Sequence, residues 1–71
     1  MEQNKYLKQY VERLDVSENI INTLKSNKIN TLGELSNYKK SELKEMGILA
    51  NDVNKIEVDL ELLGLSLKGS L

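Results

Sequence analysis

Apolar residues recur along this chain at helical spacing, interrupted by short polar connectors. Between residues 4 and 14, Tyr6, Leu7, Tyr10, Val11 and Leu14 form one stripe, with Lys5, Lys8, Glu12 and Arg13 off it. That pattern predicts an N-terminal amphipathic helix within residues 1–13. Ser17 is a good N-cap and Glu18 follows in the first turn, where the helix dipole favours an anion. The helix expected from there over 18–27 puts Ile20, Ile21 and Leu24 on one side and Asn19, Asn22, Thr23 and Ser26 on the others. After a connector with Ile29 pointing inward, Thr31-Leu32-Gly33-Glu34 fits a capping box opening a short helix with Leu32 and Leu35 inward. Ser41 is the expected cap of another short helix carrying Leu43 and Met46, which Gly47 ends.

Asn51 or Asp52 then caps a last helix to Leu63, with Val53, Ile56, Leu60 and Leu63 on the buried stripe and Glu57, Asp59 and Glu61 toward water. Gly64 is the C-terminal stop, since glycine turns left-handed without penalty. Leu65 and Leu67 fold back onto the core, and 69–71 form a tail. The expected architecture is all-α, a compact bundle of four to five short helices plus the N-terminal amphipathic helix. Residues 14–68 make up the domain proper.

Composition narrows the chemistry. The 71 residues suffice for one domain with a thin core. No cysteine excludes disulfides and thiolate metal sites, and no histidine removes the commonest general base and metal ligand. The sequence offers no phosphate loop and no credible nucleophile, so a binding module is expected, without cofactor. Asp52, Glu57, Asp59 and Glu61 lack the converging loop that would cage a divalent cation, and no metal is expected. No apolar run reaches ~18 residues, and the first residues lack the basic-then-apolar order of a secretory signal, so a cytoplasmic protein off the membrane is expected. The formal net charge of −1 argues against a strong nonspecific grip on phosphate but leaves room for a local patch.

Several separated blocks, in order and at matching spacing, carry a family resemblance. Leu14-Asp15-Val16-Ser17, Asn22-Thr23-Leu24-Lys25, Ile29-Asn30-Thr31-Leu32-Gly33-Glu34-Leu35 and Gly64-Leu65-Ser66-Leu67 resemble the C-terminal domain of the bacterial RNA polymerase alpha subunit. The resemblance spans Val11 to Lys68, with about one residue deleted near Gly47. It implies a helix-hairpin-helix element that grips the DNA minor groove upstream of promoters and touches sigma factor and activators. In such an element a hairpin glycine lets the backbone approach phosphate, and the next helix offers its amides to the anion. An arginine of the first long helix enters the narrow A-tract groove, where the potential is most negative.

Carried over residue by residue, that arginine falls on Asn19, and the family's supporting asparagine is retained as Asn22 beside Thr23. The family's Asn-Leu-Gly-basic-Lys-Ser run aligns with residues 47–52, so Leu49 replaces the second glycine, Asn51 the lysine and Asp52 the serine. The candidate DNA-contacting residues are Asn19, Asn22, Thr23, Lys25, Gly47 and Asn51. The candidate partner-contacting residues are Asp15, Lys39, Lys40 and Lys44, with RNA polymerase, sigma factor or an activator as partner. Each has a plainer alternative. The asparagines are ordinary solvent-facing positions, Lys25 and Lys28 a solvated helix end, the Lys39–Lys44 cluster a wet face, and Asp15 a turn former.

Overall fold

The computed structural model describes residues 4–69. Residues 1–3 of the expected N-terminal helix and residues 70–71 of the expected tail lie outside the described residues. Four α-helices make up the body: α1 (Glu18–Ser26), α2 (Leu32–Leu35), α3 (Lys40–Glu45) and α4 (Ala50–Leu62). Among the described residues there is no strand, only one isolated antiparallel bridge between Tyr10 and Thr31. No helix is long and apolar enough to cross a membrane among them.

Local chemistry sets the helix starts. The Ser17 hydroxyl accepts from the Ile20 amide, capping α1. At α2 the Thr31 hydroxyl accepts from the Glu34 amide, and the Glu34 carboxylate accepts from the amides of Thr31 and Asn30, each at 3.0 Å. That is the reciprocal capping box expected there.

Two caps differ from expectation. Ser41 lies inside α3, which is entered at Lys39, whose amide donates to the Glu42 carboxylate. Glu42 sits three residues after Lys39, so it supplies the returning half of a box and starts the helix ahead of Ser41. Helix α4 is entered at Leu49 with no side-chain cap, so Asn51 and Asp52 lie within the first turn. Ile48 is drawn into the core at 3% exposure, which leaves a single residue between it and the helix.

Three of the helix exits share one stop signal. After α1, α3 and α4 the backbone turns left-handed at Lys28, Gly47 and Gly64 respectively. The next residue's amide then returns to a carbonyl one turn back: Ile29 to Leu24, Ile48 to Leu43 and Leu65 to Leu60. In each pair the two apolar side chains belong to the core or pack against it. This geometry satisfies orphan carbonyls while pointing an apolar side chain inward. The resulting core comprises Val11, Leu14, Ile21, Leu24, Ile29, Leu32, Leu35, Leu43, Ile48, Val53, Ile56, Leu60 and Leu67.

The N-terminal segment departs from the helix that its periodicity predicts. In place of one amphipathic helix it forms two 3₁₀ turns, Lys5–Lys8 and Val11–Arg13. Between them the backbone pairs with the connector before α2: the Val11 amide donates to the Asn30 carbonyl, and the Leu32 amide donates to the Gln9 carbonyl. Those bonds use groups that a continuous helix would need internally. The Asn4 side chain donates to the Leu63 carbonyl at 2.7 Å, tying this N-terminal strap to the end of α4. Val11 is fully buried and Tyr6 packs against the core, whereas Tyr10 is 65% exposed. The Tyr6 ring carries the Lys5 ammonium 5.4 Å and the Arg13 guanidinium 4.8 Å from its centroid.

Candidate nucleic-acid and partner interface

Helix α1 divides its residues cleanly. Ile21 and Leu24 are buried, while Asn19, Asn22 and Lys25 are exposed and Thr23 is half-buried. The Asn19 and Asn22 side-chain amides make no hydrogen bond with any described residue. Both therefore offer a donor and an acceptor to a ligand. Thr23 is already engaged, its hydroxyl donating to the Asn19 carbonyl at 2.9 Å. Thr23 thus contributes mainly shape.

Lys25 is held by Glu12 of the strap, with Nζ 2.6 Å from the carboxylate. The Lys25 ammonium in turn holds the Glu12 carboxyl below its ordinary value. The one candidate cation on α1 therefore has its own counterion. Periodicity and motif give no hint of Glu12, for at thirteen positions' separation no helical spacing relates the two.

Gly47 lies in the turn between α3 and α4 at φ +96, with nothing within 4 Å of where a Cβ would stand. The turn is open to a ligand, but its neighbours are not cationic. Leu49 is 67% exposed, Asn51 is exposed, and Asp52 places an anion in the first turn of α4.

The partner-contacting candidates are scattered. Asp15 precedes α1, and its carboxylate meets the Lys55 ammonium of α4 at 3.3 Å while its amide donates to Asp59. Lys39, Lys40 and Lys44 share α3 or its entry, but Lys40 reaches back to Glu57 of α4 at 3.2 Å. Glu57 and Asp59, expected to face water, are consequently half-buried, because α3 and the Asp15 turn pack beside them. The C-terminal tail adds a residue that the sequence does not single out. The Lys68 amide donates to the Tyr38 carbonyl, and Lys68 joins Lys39, Lys40 and Ser41 around one cleft. Lys68 is remote from the other three in sequence, so only the folded molecule unites them. Among the described residues no group of three or more acidic side chains converges as a metal cage would require.

Short helices on a thin aliphatic core, with amides and ammonium groups as the exposed chemistry, define a small all-helical domain. Residues 1–62 match the family model for the C-terminal domain of the bacterial RNA polymerase alpha subunit, and the protein belongs to that family. It is a transcription-related domain of a family that is itself non-catalytic. Comparison with curated proteins found no match.

Proposed function

We propose that this protein is a transcription-associated DNA-binding module that lays α1 along the minor groove of A-tract DNA near promoters. The observation that carries the reading is the pair of exposed, unpartnered amides, Asn19 and Asn22, on α1 of a domain in this family. Asparagine is one of the side chains suited to the minor groove's degenerate acceptor pattern. Thr23 lines the same helix, Lys25 meets a phosphate once released from Glu12, and Gly47 with Asn51 brings backbone and amide to the sugar-phosphate edge. The turn between α3 and α4 acts as the hairpin of a helix-hairpin-helix element.

With so few cations the affinity is low and the salt dependence shallow, about one unit of slope per phosphate neutralised. Fluorescence anisotropy at low salt, comparing an A-tract duplex with a G·C-rich duplex of equal length, tests the reading. Preferential, salt-sensitive binding to the A-tract supports it. Equal binding, or none, rejects it.

A second reading is favoured by Leu49 and Asp52, an exposed leucine and an anion where a phosphate grip needs cations. In that reading the domain works as a protein-interaction module against polymerase, sigma factor or an activator. Asp15, Lys39, Lys40 and Lys44 form the contacting surface. Retention of purified RNA polymerase holoenzyme by the immobilised protein, reduced by Lys44→Glu, would favour it over the DNA reading.

A further inference from the structure

We propose that the outer face of α4 is a self-association surface that takes a second copy of this chain, antiparallel, across a two-fold axis. Val58 and Leu62 stand one helical turn apart on that face, 52% and 79% exposed. Beside Leu62 opens a hollow of about 160 Å³, walled by Arg13, Leu14, Asp15, Asp59, Leu62 and Leu63. Its apolar lining is firm, for Leu14 belongs to the core and Leu63 packs against it. Apolar cavities of roughly 150 Å³ take in a benzene-sized group, so the hollow has room for an aliphatic side chain.

Two observations identify the occupant as a second copy. A two-fold contact pairs a patch with itself, so the patch must carry both a projecting group and the recess that receives it. This face has both, the Val58–Leu62 pair and the adjoining hollow. Its charges are also self-complementary. Lys55 lies three residues before Val58, and Asp59 and Glu61 follow it. An antiparallel partner centred on Val58 therefore sets the cationic end of one helix against the anionic end of the other. Lys55 is free to turn that way, because its pair with Asp15 is exposed and weakly held. Glu61 is exposed and makes no ion pair with any described residue. A partner of one sign would satisfy one end of this helix and oppose the other. Two side chains and a small hollow fall well short of the ~800 Å² per partner of a standard stable interface, so the dimer is weak, with a Kd of about 0.1–1 mM. The surface depends on neither reading of function above.

Sedimentation equilibrium of the full chain, from about 20 μM to the top of that range, tests the proposal. A monomer–dimer equilibrium is expected, with concentration-dependent amide shifts at residues 13–15 and 55–63. Leu62→Ser should weaken the dimer about tenfold, whereas Leu49→Ser, at the other strongly exposed leucine, should leave it unchanged. Lys55→Glu should weaken it about threefold, and Lys8→Glu, which changes net charge equally, far less. All four positions are exposed, so the fold is retained. A monomer throughout the concentration range, equal effects within either pair of variants, or shifts away from α4 and the hollow would overturn the proposal.

Discussion

Lys28 holds a backbone conformation, φ +63, that costs a side-chain-bearing residue roughly 1–2 kcal/mol. Glycines occupy the equivalent positions after α3 and α4. Lys28→Gly should therefore stabilise the domain by about 0.5 kcal/mol, after the extra backbone entropy that glycine loses on folding, and a denaturant midpoint would show it. Gly64 announces its turn in the sequence because glycine is the usual left-handed residue, whereas a lysine gives no such signal. Glu34 is legible for the opposite reason, since a capping box is written in four consecutive residues. Amides of Asn30 and Thr31 donate to its carboxylate and hold its titration below the ordinary value of 4.5. The folded value lies under the unfolded one, so the stabilisation is complete above pH 4.5 and is lost as pH falls through the folded value. Glu34→Gln should lower the melting temperature at neutral pH and flatten its decline below pH 4.5. An unchanged acid limb in thermal melts would reject that account.

Among the elements, the N-terminal strap is the one that periodicity specifies least. Its apolar stripe, Tyr6 to Leu14, satisfies a helix and a pair of 3₁₀ turns almost equally well. The choice is made by Asn30 and Leu32, whose backbone groups are distant in sequence and cannot be read locally. The four α-helices are legible because their caps and stripes are short-range, and they differ from expectation in how α3 and α4 are entered and by one residue at the ends of α1 and α4. The strap's seat is tight: a Cβ on Gly33 would stand 2.9 Å from the Leu7 carbonyl oxygen, which is backbone and cannot rotate away. Gly33→Ala should destabilise the domain by about 1–3 kcal/mol and loosen the strap, measurable as faster exchange of the Val11 and Leu32 amides. The strap also governs α1, because Glu12 neutralises Lys25. Glu12→Gln should tighten binding to A-tract DNA and steepen the salt slope by about one unit. An unaltered slope would mean that Lys25 takes no part.

The whole molecule has a radius of gyration of 11.0 Å, matching the value of about 11 Å expected for a compact protein of this length. Its shape and all-helical class follow from periodicity and caps that the sequence displays openly. The candidate interface does not, since its residues depend on tertiary neighbours: Glu12 on Lys25, Lys55 on Asp15, and Lys68 beside Lys39. With a net charge of −1 the domain cannot bind DNA through bulk electrostatics, so any DNA recognition must come from the few groups on α1 and at the Gly47 turn. An NMR titration of the labelled protein with an A-tract duplex examines those groups directly. The account predicts amide shifts clustered at Asn19, Asn22 and residues 47–51. Shifts confined to residues 39–44, or no shifts at all at low salt, would contradict it.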